Sequence, residues 1–124
     1  MKSTIRYRTL QLEKVKREVL ILKHMEGGPN TVKVHEVVHE QGSESYALVM
    51  DLIAGEPLNT SAPRPIAFTR HYLKQALDVL AYAHSHGIMH RDVKKGNILV
   101  NEDTGQLWLI DWGLAEFYHP RRAG

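Results

Sequence analysis

Residues 90–99 read HRDVKKGNIL, and this stretch decides how the chain is interpreted. Within it, Lys94 follows Asp92 by two residues and Asn97 follows it by five. Fourteen residues beyond Asn97 comes a second set, Asp111-Trp112-Gly113. A positioned carboxylate can accept a proton, and a carboxylate with an amide oxygen can hold Mg²⁺ beside phosphate oxygens. The two sets, in this order and at this spacing, therefore predict a phosphate-handling site.

Both sets resemble protein kinases, the first their catalytic loop and the second their Asp-Phe-Gly motif, here with Trp112. The resemblance implies that Asp92 is the catalytic base, which accepts the hydroxyl proton of the substrate. It implies that Lys94 neutralises charge on the moving phosphoryl group. Asn97 and Asp111 would hold Mg²⁺ against the phosphates of ATP. Alone, an Asp in a loop is more often a turn or capping residue, so the flanking residues carry this interpretation.

Three segments resemble the catalytic α subunits of casein kinase II more closely: Gly27–Asn30, His84–Lys94 and Leu109–Pro120. Trp112 is a distinguishing mark of that family, and the resemblance runs from about Glu13 to Pro120. It implies a protein Ser/Thr kinase that transfers the γ-phosphoryl group of ATP to acidic protein substrates. It also admits GTP as a second nucleotide and a regulatory β subunit that docks on the small-lobe sheet.

The implied fold is α+β, a partial bilobal protein-kinase fold. Residues 1–53 would form a partial small lobe with a helix and a hairpin. Residues 54–65 would form a hinge or linker, since they contain one Gly and three Pro. Residues 66–124 would form a partial large lobe with the catalytic loop and the Asp-Trp-Gly motif. Apolar periodicity and turn residues predict helices over Leu10–Met25 and Thr69–His86, and strands over Val32–Val38, Ser45–Ile53, Asn97–Val100 and Leu107–Ile110.

The resemblance also assigns a nucleotide pocket. Met50 is similar to the gatekeeper residue, Asp51 and Ile53 belong to the hinge, and Leu99 and Ile110 form the apolar floor. Backbone groups of the hinge would read the base. By periodicity alone, all five residues are ordinary core residues.

Glu18 resembles the helix glutamate that pairs with the ATP-contacting lysine of kinases. The alternative is one more exposed helix glutamate. The residue at the family spacing upstream of Glu18 is Ile5 rather than Lys, and Lys2 serves only if the intervening loop is longer. This departure weakens the case for ATP anchoring.

The motifs suggest an incomplete kinase. No Gly-x-Gly-x-x-Gly loop precedes the first helix, and no Ala-Pro-Glu or Gly-Pro-Glu segment follows Asp111. We therefore expect a kinase fragment that is inactive alone. The alternative is a non-catalytic, truncated kinase relative that acts as a protein-interaction module.

Composition excludes several other functions. The net charge of +2 at pH 7 argues against nucleic-acid binding, and the absence of cysteine rules out disulfides. The longest apolar stretch is too short to span a membrane. We expect a cytoplasmic or nuclear location, or both. A basic stretch either binds acidic substrates or is a solvated face; it consists of Arg6, Arg8, Lys14, Lys16 and Arg17. A metal site at His84 and His86 is the minor alternative.

Overall fold

The computed structural model of the chain describes residues 3–8, as backbone only, together with residues 12–39 and 41–119. In these ranges, α-helices occur together with separate antiparallel strand pairs, which confirms the predicted α+β class. In chain order they are β1 (Ser3–Arg8), α1 (Leu12–Met25), β2 (Val34–His39), β3 (Tyr46–Asp51), β4 (Glu56–Pro57), α2 (Ile66–Ser85), β5 (Ile88–Met89), a 3₁₀ turn (Lys95–Asn97), β6 (Ile98–Asn101), β7 (Gln106–Leu109) and β8 (Glu116–Phe117). No helix in the described ranges is long and apolar enough to cross a membrane.

The first sheet is antiparallel, with strand order β1-β3-β2. The predicted hairpin is present as β2 and β3, and β1 adds a third strand that was not predicted. In the register of β1 on β3, Ile5 lies opposite Val49 and Thr4 opposite Met50. The small-lobe part is therefore a three-stranded sheet with one helix, rather than a helix and a hairpin.

Helix α1 supplies the other half of the small-lobe core. Its buried positions are Val15, Ile21, Leu22 and Met25, together with the charged Glu18. Each fully buried apolar side chain contributes roughly 1.5–3 kcal/mol through burial. The helix begins at Leu12 in the described part, because residues 9–11, which contain the predicted start, lie outside it. It ends at Met25, two residues before Gly27, whose φ of 85° suits glycine.

The second part of the molecule packs α2 against the hairpin of β6 and β7. Helix α2 begins at Ile66, three residues before the predicted start, directly after Pro65. Tyr72, Val79 and Ala83 form its buried row. The second apolar row points outward, with Leu73 54% and Leu77 56% exposed. The helix thus uses only one of the two apolar rows that its sequence provides.

Two short pairings complete the second part. Strand β4 lies inside the predicted linker and pairs with β6, where Pro57 is opposite Leu99. Strand β5, just before the catalytic loop, pairs with β8, just after Asp111-Trp112-Gly113. The sequence predicted neither pairing, since each strand has only two residues and no readable alternation.

The two parts meet where the turn after α1 touches the hairpin. The Asn30 amide donates to the carbonyl of Leu107 at 2.9 Å and to Oε1 of Gln75 at 2.8 Å. The backbone N–H of Leu109 donates to the carbonyl of Asn30 at 2.9 Å. Gly28 packs so closely on Tyr82 that an added Cβ would lie 2.5 Å from the ring. This junction fixes the sheet and α1 relative to α2.

Candidate active site

A cavity of about 190 Å³ lies between the two parts of the molecule. Its lining contains the five residues that the sequence assigned to the nucleotide pocket and also the predicted lysine partner Glu18; the five are Met50, Asp51, Ile53, Leu99 and Ile110. Leu22, Val32, Leu52, Asp111 and Trp112 also contribute to it. The structure therefore brings the predicted residues together, while their contact with a nucleotide stays a prediction.

The folding of two hairpins explains why these residues converge. Met50 and Asp51 end β3, so the chain leaves the small-lobe sheet directly at the cavity. In the second hairpin, Ile98 lies opposite Leu109, which sets Leu99 and Ile110 at the same end of the pair. The N–H of Ile110 also donates to the carbonyl of Asn97 at 2.9 Å. The apolar floor and the predicted metal residues are thus held by one short ladder.

Asn97 orients the predicted base, Asp92. Its buried side chain donates through Nδ2 to Oδ2 of Asp92 at 3.0 Å and to the Asp92 carbonyl at 2.8 Å. Both bonds use the nitrogen, so the amide oxygen is the end that could ligate a cation. Asp92 itself is half-buried. Its carboxylate is therefore fixed at the loop while still reachable from solvent.

The two lysines of the loop lie in different surroundings. The Nζ atom of Lys94 is 3.9 Å from Oδ1 of Asp92, which places its charge beside the predicted base. Lys95, although exposed, donates to Oγ1 of Thr60 at 3.0 Å. That bond ties the catalytic loop to the linker after β4. Nothing near either residue in the sequence indicates this bond, because the two residues are far apart along the chain.

His90 supports the loop from below and is 2% exposed. Its Nε2 donates to the carbonyl of Ile110 at 2.9 Å, and its Nδ1 accepts the N–H of Asp92 at 3.1 Å. This pair of bonds requires the neutral ring with its proton on Nε2. Burial lowers the pKa of His90, although the Ile110 carbonyl, Asp92 and Asp111 each act to raise it. Both carboxylates therefore lie within electrostatic reach of one ring.

Trp112 fills the core directly beneath the cavity and is 1% exposed. Its indole N–H donates to the carbonyl of Leu109 at 3.0 Å, which supplies the partner that a buried indole needs. Its ring also contacts His90 edge-on, with centroids 4.6 Å apart. The preceding Asp111 has a φ of 59°, and its Oδ1 accepts the N–H of Gly113 at 3.2 Å. The large ring thus fixes the turn that presents Asp111.

Arg91 connects the catalytic loop to the segment after the Asp-Trp-Gly motif. It forms an ion pair with Glu116, whose backbone is already paired opposite Met89. The N–H of Tyr118 adds a bond to the carbonyl of Gly87 at 2.8 Å. The sequence did not identify Glu116 as the partner of Arg91. In the sequence, Glu116 is identifiable only as the glutamate in the run that follows Asp111-Trp112-Gly113.

The opposite end of the cavity departs from the motif pattern. Glu18 is 5% exposed, so the alternative of an exposed helix glutamate is wrong. Ile5, at the spacing where kinases carry the lysine, lies on β1. Lys2, the substitute proposed from the sequence, lies outside the described residues. A lysine in the place of Ile5 is therefore absent from this chain.

The donor set fits a metal ion that is shared with a nucleotide. Among the residues that the structure describes, no three His, Cys, Asp or Glu side chains group closely enough to hold an ion alone. Asp111 and Asn97 supply one carboxylate and one amide oxygen. Mg²⁺ is commonly held in this way, by one or two carboxylates together with phosphate oxygens and waters. The site therefore suits a magnesium–nucleotide complex better than a bare ion.

The structure describes part of the basic stretch and both histidines of the alternative metal site. Lys14, Lys16 and Arg17 are exposed on α1, which suits either a solvated face or a charged partner; the side chains of Arg6 and Arg8 lie outside the described part. His86 bonds to the carbonyl of Tyr82 at 2.9 Å, and His84 contacts the ring of Tyr118.

Comparison with known proteins agrees with this geometry. A family model for the protein kinase domain matches residues 1–123. The chain is 41% identical over 112 residues to casein kinase II subunit alpha′ of Saccharomyces cerevisiae. That alignment covers 90% of this chain and 33% of the yeast protein. The chain thus spans about a third of the length of the curated relative that it matches. Since the family model covers nearly every residue, the chain belongs to the protein kinase family.

Proposed function

We propose that this chain contributes the nucleotide cavity and catalytic loop of a Ser/Thr protein kinase of casein kinase II type. Its reaction is transfer of the γ-phosphoryl group of ATP to Ser or Thr of acidic proteins. The observation that carries the proposal is the bonded set of His90, Asp92 and Asn97, together with a cavity that Asp111 lines. Each of these side chains has the chemistry that its place requires.

The cavity suits part of a nucleotide rather than the whole. Its volume of about 190 Å³ is below the roughly 300–1,000 Å³ of usual ligand pockets. Met50, Leu99 and Ile110 would pack on a flat base, and the backbone from Asp51 to Ile53 would meet its polar edge. Asp111 and Asn97 would hold Mg²⁺, which supplies charge neutralisation at the phosphates when bound.

The protein's own groups then act on the substrate hydroxyl. Asp92 would accept a hydrogen bond from that hydroxyl and take its proton as the new bond forms. Lys94, 3.9 Å from the Asp92 carboxylate, would place positive charge near the transferred group. Asn97 keeps the carboxylate in one orientation, so less ordering remains for the moment of reaction.

The proposal is tested by nucleotide binding to the purified chain with and without Mg²⁺. We expect ATP to bind more tightly when Mg²⁺ is present, and Asp111→Asn to reduce this gain by about tenfold, or ~1.4 kcal/mol. Asp103→Asn, in the exposed turn between β6 and β7, is the matched control and should behave as the wild type. A wild-type chain that shows no ATP binding at millimolar concentration, or an Asp111→Asn variant with unchanged Mg²⁺ dependence, would contradict the proposal.

A non-catalytic interaction module is the second candidate, and Ile5 at the lysine position favours it. We expect the isolated chain to show little phosphoryl transfer to an acidic peptide, because charge anchoring is incomplete. Further proposals follow from the resemblance: GTP as a second nucleotide, a regulatory β subunit on the sheet of β1–β3, and a cytoplasmic or nuclear location. Mg²⁺-dependent ATP binding favours the kinase part, whereas binding of the chain to a casein kinase II β subunit without measurable ATP binding favours the interaction module.

A further inference from the structure

Strand β2 contains a bulge next to the cavity. In the register of β2 on β3, Val34 lies opposite Met50, but Glu36 already lies opposite Val49. His35 is therefore the extra residue, with no partner of its own in the ladder. Bulges of this kind redirect a side chain and are frequent beside active sites.

The bulge places His35 against Asp51, the last residue of β3. Its ring Nε2 lies 2.5 Å from Oδ1 of Asp51, a hydrogen-bonded ion pair when the ring is protonated. The two side chains are 27% and 36% exposed, so the contact is near the surface. The backbone N–H of Asp51 also donates to the carbonyl of Lys33 at 3.0 Å. Asp51 is thus held at its side chain by β2 and at its backbone by Lys33, the residue just before β2.

Asp51 lies between two cavities of the molecule. It lines the cavity between the two parts, together with Leu52 and Ile53. It also lines a second cavity of about 230 Å³, bounded by Gly27, Gly28 and Thr31. A movement of this residue therefore changes the wall of the proposed base-binding cavity.

We propose that His35 is a positioning residue that sets nucleotide selectivity through Asp51. The proposal rests on the function proposed above, and it names the base that the same cavity favours. By binding the Asp51 carboxylate, His35 fixes the backbone that would meet the edge of the base. It also occupies an acceptor that could otherwise serve another ligand.

The chemistry of the two purines gives the direction of the effect. Guanine presents two adjacent donors, N1–H and the 2-amino group, and a carboxylate accepts such a pair well. Adenine presents one donor and one acceptor on the corresponding edge, so a carboxylate does not match it. A carboxylate released from His35 would therefore favour guanine, and a carboxylate held by His35 favours adenine.

The experiment measures the affinities of the 124-residue chain for ATP and GTP that carry the same fluorescent group on the ribose. We expect His35→Ala to weaken ATP binding by about fivefold, the usual effect of one lost hydrogen bond near the surface. GTP binding should stay within about twofold or improve. His35→Gln, whose amide nitrogen can reach the same oxygen, should restore the wild-type ratio.

His39→Ala is the matched control on the same strand. The ring of His39 bonds to the carbonyl of Ser43 at 2.6 Å and stacks on Tyr46, and His39 does not line the cavity. This variant should keep the wild-type affinities for both nucleotides. If His35→Ala loses its helical circular-dichroism signal, Asp51→Asn replaces it, since it weakens the same pair, and it should lose ATP affinity.

Two results overturn the inference in distinguishable ways. A wild-type chain that binds neither nucleotide refutes the proposed function, and the inference falls with it. A wild-type chain that binds ATP while His35→Ala keeps the same ATP-to-GTP ratio refutes the role of His35 alone.

Discussion

The two ends of the cavity differ in how many of the expected kinase residues they contain. At the catalytic loop, Asp92, Asn97 and His90 bond to one another or to the backbone of the hairpin. At the far end, Glu18 is buried on α1, but Ile5 stands where related kinases carry a lysine. The loop thus carries the residues that are proposed to act on a substrate hydroxyl. At the other end, the position of Ile5 offers no lysine to the triphosphate, and Lys2 lies outside the described residues.

This difference separates the alignment of the substrate hydroxyl from the anchoring of the nucleotide phosphates. Phosphoryl transfer depends mostly on positioning and on charge, rather than on covalent chemistry by the protein. A complete catalytic loop with incomplete phosphate anchoring should therefore bind and align a substrate hydroxyl better than it aligns the nucleotide. The following variants test each end in turn.

Replacing the base should have the largest effect. We predict that Asp92→Asn lowers kcat by about a hundredfold or more, because a positioned base contributes roughly 10²–10⁴ in rate. The measurement needs an active enzyme, so these residues would replace the matched third of the yeast relative in a chimera. ATP affinity should change little, since the carboxylate acts mainly in the transition state.

Asp78→Asn on the exposed face of α2 is the control for that chimera and should leave kcat unchanged. A variant at Asp92 that retains more than about a tenth of the parental kcat would rule out a major base role.

At the end of the cavity near Glu18, introducing a lysine at position 5 should have an effect of intermediate size. We predict that Ile5→Lys tightens ATP binding to the isolated chain by about tenfold, through a charge-assisted contact with the phosphates. The same change in a Glu18→Gln background should give little gain, because the glutamate would orient the new lysine. Equal gains in both backgrounds would show that added positive charge alone is responsible.

The smallest effect concerns the pH response of His90. Because burial lowers its pKa from the ordinary value of 6.5, the ring should titrate below that value in the folded chain. Histidine ring signals in an NMR titration, assigned with His90→Gln, measure the midpoint. A midpoint at or above 6.5 would show that burial does not lower the pKa of the His90 ring.

The sign of the stability effect follows from the same shift. As pH falls below 6.5, the unfolded chain takes up the proton before the folded chain does. The stability contributed by neutral His90 is therefore complete above that pH and is lost as pH falls through the folded-state pKa. Protonation of Nδ1 would also remove the acceptor for the N–H of Asp92.

The sequence predicts the catalytic end better than it predicts the fold around it. The loop residues are close along the chain and chemically constrained, so motif and spacing identify them together. The long helices are also readable from their periodicity, although α2 begins three residues early because Pro65 can precede a first turn. Local sequence thus suffices where the contacts are local.

The remaining features depend on contacts between distant residues. Strands β4, β5 and β8 have two residues each, and only their partners define them. In strand β1, Ile5 and Tyr7 alternate with Arg6 and Arg8, a strand pattern that was missed because the two arginines were interpreted as part of a basic stretch. Likewise, nothing in the sequence near His35 indicates the bulge, because it is a mismatch in length between β2 and β3. Lys95 and Thr60 are a further pair of this kind.

The Asn30 junction has a consequence for the order in which the chain folds. The β6–β7 hairpin closes a short loop, so it can form early and without the rest of the molecule. Asn30 meets that hairpin only after a loop of about 77 residues has closed, since its amide bonds to Leu107. Loop closure of this length is entropically expensive and slow. The cavity between the two parts should therefore be among the last features to form, well after the catalytic loop has acquired its local structure.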